Sequence, residues 1–170
     1  MAPLISLVAT TLVLRLLGRI KFARFNAWRP AMRGGLTALF FTTGIVHFVP
    51  GFKEGLIAMV PPALPWPEAL VAVTGVLELL GAVGLWVRPF RRAAAICLTL
   101  LMLAMFPANI YASLNGIELN GAAPQPLLIR TLIEILWIGV AVAVATEPIR
   151  PRLPPASPVK TPPIEETQSA

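Results

Sequence analysis

Glu78 is the residue of this sequence whose position most needs a chemical reason. It is tenth of nineteen in an otherwise apolar run, ALVAVTGVLELLGAVGLWV, over residues 69–87. A charged side chain at the centre of a bilayer costs about 2.5–3.5 kcal/mol on insertion scales, so such residues face a bundle interior or a cavity. A carboxyl group held there can move protons or bind the polar head of a ligand. Arg130 and Glu134 stand four positions apart in a second apolar run, 127–146, close enough to pair on one helix face. Arginine ahead of glutamate is the weaker order for an isolated helix, which favours a tertiary reason for the pair. Counted inward from the ends of their spans, His47, Asn109, Arg130 and Glu134 fall in the outer half, with Glu78 at its floor. Together the five predict a small polar pocket, open toward the exoplasmic side, that binds a ligand.

Each of these residues also has a purely structural reading. Buried polar groups can lock helices together by satisfying one another, as an arginine between two carboxylates does. His47 lies about one turn from the surface, where an interfacial side chain is the alternative to a ligand contact. Asn109 can serve the carbonyl freed by Pro107. Met102 and Met105 are at helical spacing and read as core filler, and Cys97 reads as an inert buried thiol. One cysteine excludes an internal disulfide and a CxxC motif, and one histidine excludes bis-histidine haem ligation by this chain alone. No metal site and no covalent cofactor are expected. No nucleophile–base pair or phosphate-binding glycine loop is present either, so an enzyme acting alone is the least supported class.

The elements that must position these groups follow from composition. Hydrophobic residues make up 56% of the 170 and charged residues 13%, against roughly 25% charge in soluble domains, so the solvent is largely lipid. A spanning helix needs about 20 mostly apolar residues. Three runs qualify: 69–87, 93–114 with Pro107 kinking but not ending it, and 127–146. A fourth, 34–49, reaches full length if residues 31–33 add a turn after Pro30. Ahead of these, residues 3–17 form a hydrophobic helix of borderline length, either spanning or interfacial, and not a cleaved signal peptide. On helical spacing the face of Glu78 holds Val71, Thr74, Gly75, Gly81, Ala82 and Leu85; its four nearest neighbours are small, so that face points inward.

The cations set the orientation. Twelve of the 14 Lys and Arg fall before the second helix, between the third and fourth, or after the fifth, whereas the opposite loops, 50–68 and 115–126, hold only Lys53. The twelve-charge side is therefore expected to be cytoplasmic. The net charge of +6 reflects this topology rather than nucleic acid, because the basic residues are dispersed among loops. Trp28, Trp66 and Trp86 fall at span boundaries, as interfacial rings do, and Trp137 does not. Segment 52–60 reads as a short surface helix able to cap the bundle. The expected organisation is an N-terminal hydrophobic helix plus basic segment, 1–30, a membrane domain, 31–146, and a disordered Pro-rich cytoplasmic tail, 147–170. The fold class is all-α, a polytopic membrane protein whose four-helix transmembrane bundle carries one additional N-terminal helix.

The strings GLTALFFTTGIVHFVPGF, MVPPALPWPEALVAVTGVLELLGAVGLW, FPANIYAS and LIRTLIE resemble the DoxX-like family of small bacterial integral membrane proteins over about residues 31–146. The resemblance implies a four-helix bundle in the bacterial cytoplasmic (inner) membrane, multi-pass with a cytoplasmic C-terminus. It matches Glu78 to the glutamate of the TGxxE segment, Asn109 to the asparagine of FPAN and Arg130 to the arginine opening the last helix. Glu134 stands where the family more often has glutamine. Relatives contribute to a thiosulfate:quinone oxidoreductase or to redox-protective complexes, which implies a quinone as ligand and either a redox partner subunit or a homo-oligomer. The reading is a membrane subunit binding a small lipophilic molecule. Its alternatives are a non-catalytic scaffold for a partner complex and a small proton-coupled transporter, the latter with little basis in four or five helices lacking an inverted repeat.

Overall fold

The computed structural model describes residues 2–147. Six α-helices and one 3-10 turn make up the fold, with no strand among the described residues: α1 (Ala2–Ile20), α2 (Trp28–Val46), α3 (Phe52–Met59), α4 (Pro67–Gly84), α5 (Arg91–Asn115) and α6 (Leu127–Ala145). The helices both long and apolar enough to cross a membrane are α1, α4, α5 and α6. α2 matches α1 in length but carries Arg29 and Arg33 in its first two turns. Helix α2 starts earlier than the 34–49 run suggests because Pro30 sits in its first turn, where the missing N–H has no partner to lose. It also carries the chain unbroken across the expected boundary between residues 30 and 31, and α1 packs along it. α5 runs through Pro107 without ending. The Pro-rich tail expected over 147–170 lies, beyond Glu147, outside the described residues.

Four helices close a ring in the order α2, α4, α5, α6, with α1 laid on the outside of α2 and α3 across one end against α4 and α5. Glycine permits two of the close approaches. A Cβ at Gly35 would lie 2.5 Å from the backbone carbonyl oxygen of Leu7, so α1 and α2 meet backbone to backbone. At Gly44 it would lie 3.2 Å from the carbonyl of Gly75, where α2 crosses α4. Small residues at such crossings are how membrane helices gain packing when lipid is as apolar as their side chains.

Burial is one-sided on α4, α5 and α6, whereas the first half of α2 is buried all round because α1 covers its outer side. On α4 and its cap it recurs at Val71, Gly75, Glu78, Ala82 and Leu85, the spacing of a single helix face. Leu77 and Leu80 are 46% and 62% exposed, and Leu100, Leu103, Leu128 and Ile135 face outward in the same way, as a lipid-bathed surface requires. Cys97 belongs to that outer surface, which corrects its reading as a buried thiol. Ala95, Leu98 and Met102 take the inner face of α5 instead. The core proper joins Leu36, Leu39 and Phe40 to Ala82, Leu85, Leu98, Trp137, Ala141 and Val144. Leu39, Phe40 and Trp137 lie near mid-helix, whereas Ala82, Leu85, Leu98, Ala141 and Val144 lie toward the basic end.

At that end the C-terminus of α6 is held by arginines. Arg29 Nη1 donates to the Thr146 carbonyl at 2.8 Å, and Glu147 pairs with Arg33 at 2.8 Å and Arg91 at 3.8 Å. Cations at a helix C-terminus also meet the negative end of its dipole. The Arg33 guanidinium stacks 5.0 Å from the Trp86 ring, whose Nε1 donates to Thr37 Oγ1. Several cations read from sequence as topological markers thus have a second task as clamps.

Candidate functional site

The opposite half of the ring encloses a cavity of about 430 Å³. Its floor and walls include Leu39, Phe40, Met102 and Ile133, and the start of α1, Ala2 to Leu4, closes one side. Over the top lie Phe52, Leu56 and Met59 of α3 together with the loop that follows α5. That loop turns tightly at Asn120-Gly121, both at positive φ, between the bridged residues Leu119 and Ala122. Asn-Gly is the sequence most compatible with that left-handed pair. It brings Leu119 against α3 at Gly55 and completes the lid.

His47, Glu78, Asn109, Arg130 and Glu134 all line this cavity. Each comes from a different constraint. His47, just past α2, is 3% exposed and packs over α4 where Gly75 leaves room; a Cβ there would come within 2.6 Å of the His47 Cβ. Its Nδ1 lies 2.8 Å from the Thr43 carbonyl, which only accepts, so Nδ1 carries the proton of this contact. Glu78 is 4% exposed, with Thr43 and Glu134 within electrostatic reach. Its Oε2 is buried and has no hydrogen-bond partner among the described residues.

On α6 the pair expected from spacing is present. Arg130 Nη2 lies 2.9 Å from Glu134 Oε2, an ion pair without hydrogen-bond alignment. The guanidinium also stands 5.0 Å from the centroid of the Trp137 ring, a cation–π contact. Asn109 Nδ2 donates to the Met105 carbonyl at 3.4 Å, one turn back. Its expected service to the carbonyl freed by Pro107, that of Leu103, is therefore corrected: the amide bonds a different residue. Among the described residues no group of three or more His, Cys, Asp or Glu could hold a metal ion.

Sequence reasoning did not assign Trp137 to the site, nor Thr42 and Thr43, which line the cavity from α2. Trp137 was within reach of helical spacing, three positions past Glu134 and seven past Arg130, hence on the same face. The lid hairpin had its signal in Asn120-Gly121.

A model of the family described as Domain of unknown function (DUF8561) matches residues 36–145. The chain belongs to this family. No curated protein and no solved structure matches it. The DUF8561 segment contains all five site residues, Trp137 and the lid, while α1 lies outside it and adds only the short wall from Ala2 to Leu4.

Proposed function

We propose that this member of DUF8561 is a multi-pass protein of a bacterial cytoplasmic membrane, related in design to DoxX-like proteins, whose bundle cavity binds a small lipophilic molecule with a quinone-like head. The observation that carries the reading is the convergence of Glu78, Arg130, Glu134, His47 and Asn109 on one cavity of about 430 Å³ with mostly apolar walls. Ligand sites are typically of this kind, roughly 300–1,000 Å³ and mostly apolar, with a few placed polar groups. Helix-bundle interiors are a common setting for them. The gathering of Arg29, Arg33 and Arg91 at the end away from the lid supports a cytoplasmic C-terminus. A redox role for such a subunit is expected to involve a redox partner subunit or a homo-oligomer.

Titration of the purified protein in lipid nanodiscs with a short-chain benzoquinone tests this reading. The wild type binds, and Glu78→Gln and Arg130→Gln each weaken binding about 10-fold, the loss expected when one charge-assisted hydrogen bond is removed. Absence of binding, or binding indifferent to both changes, overturns it. A scaffold built on the same polar residues would lose thermal stability with both substitutions and differ from the ligand-binding reading in showing no ligand effect.

A further inference from the structure

Three buried side-chain atoms belonging to residues that line the cavity have no hydrogen-bond partner among the described residues: Glu78 Oε2, Glu134 Oε2 and Trp137 Nε1. Buried polar atoms of folded proteins are paired in the large majority, and an orphan inside a cavity wall points to a group that completes it. They are of two kinds, two carboxyl oxygens and one indole nitrogen. Glu134 is ion-paired with Arg130, so its oxygens only accept. The Trp137 indole N–H only donates. Glu134 and Trp137 are three apart on α6 and so share a helix face, and Glu78 stands within electrostatic reach of Glu134 from α4.

A head group that suits this wall must both donate to a carboxylate and accept from an indole. A hydroxyl does both with one oxygen. A carbonyl accepts from Trp137 and leaves Glu134 Oε2 with its ion pair to Arg130 but no aligned hydrogen bond; an ether does the same. The body is expected to be aromatic or branched apolar, since Phe40, Trp137 and the polarizable Met102 and Met105 form the wall around it.

We propose that the ligand of this cavity carries a hydroxyl head, as a phenol or the reduced, hydroquinone form of a quinone does, and that Glu134 and Trp137 read that hydroxyl. This deepens the quinone-like reading above and rests on it. The oxidised quinone, whose head contains acceptors alone, is the weaker ligand. A site built to hydrogen-bond a hydroxyl rejects the analogue lacking it because its own buried groups are then stranded.

The test compares 4-heptylphenol with 4-heptylanisole, which differ only in methylation of the oxygen, by calorimetric titration of the full chain in nanodiscs, with a short-chain benzoquinone as third probe. The phenol binds at least about 10-fold tighter than the ether. That ratio falls below about 3-fold in Glu134→Gln, whose neutral amide oxygen is a weaker acceptor than the carboxylate, whereas Trp137→Phe weakens both probes alike because each accepts from the indole N–H. Equal affinity for phenol and ether, or a preference for the ether, overturns the proposal, as does a preference unchanged in Glu134→Gln or an affinity for both probes unchanged in Trp137→Phe. If the benzoquinone binds with the Glu78 and Arg130 dependence given above while phenol and ether do not differ, the hydroxyl inference fails and the lipophilic-ligand reading stands. If none of the three probes binds, both fail.

Discussion

Replacing Arg130 by methionine is expected to lower the stability of the protein in detergent by about 3 kcal/mol, the low end of what breaking a buried ion pair costs. The reason lies in what is left behind. Glu134 is 3% exposed and its ion-pair partner is Arg130, so removing the guanidinium strands a carboxylate in a largely apolar interior. The Trp137 ring loses the cation above it in the same step. Replacing Glu134 as well, in Arg130→Met/Glu134→Leu, removes the stranded charge and is expected to restore most of the stability, since exchanging a whole buried pair for apolar groups of similar size is often neutral or favourable. Thermal unfolding of wild type, both single variants and the double variant gives the cycle. A double variant no more stable than Arg130→Met would mean that the arginine supports the bundle through packing rather than through its charge. The same double variant is expected to bind no benzoquinone, which separates stability from function at this site.

The second large effect is expected far from the cavity's polar groups, at Gly35. An alanine Cβ there would stand 2.5 Å from the Leu7 carbonyl oxygen and closer still to the Thr11 side chain, so α1 must move away from α2. Backbone cannot yield as a side-chain end can, and overpacking of this kind costs about 1–3 kcal/mol. Thr11, whose hydroxyl already bonds the Leu7 carbonyl at 2.7 Å, leaves no alternative space. Gly139 on α6 is the control: nothing lies within 4 Å of a Cβ placed there, and Gly139→Ala is expected to change stability by no more than about 0.5 kcal/mol. Because the first residues of α1 form part of the cavity wall, Gly35→Ala should also weaken ligand binding without touching a polar residue of the site. Equal stability of the two alanine variants would show that α1 is not seated on α2 as described.

Much of this arrangement was legible in the sequence because lipid simplifies the rules. Glu78 could be given an inward face since Thr74, Gly75, Gly81 and Ala82 surround it on the helix, and that is the face which is buried. Arg130 and Glu134 could be paired on spacing alone, being on one helix. The meeting of Glu78 with that pair is different, since it depends on α4 and α6 facing each other across the ring, and only the shared depth of the residues pointed to it.

Other features gave no such signal. α5 is apolar on every side, so nothing in its pattern told Cys97, on the lipid face, from Leu98, one position on and buried. Asn109 was tied to Pro107 by proximity in sequence, whereas its amide follows the helix ladder back to Met105. The arginines of the basic end were read for their charge; that Arg33 and Arg91 converge on Glu147 follows from the closure of α6 against α2 and α5, which no local pattern encodes.

The most direct measurement is a crystal structure grown from lipidic mesophase with 4-heptylphenol present. Density for the probe between α2, α4, α5 and α6, its oxygen within hydrogen-bond distance of Glu134 and Trp137 and with Glu78 facing it, is the expected result. Density confined to the outer surface of the helices, or Glu78 turned toward acyl chains and away from Arg130, would contradict it.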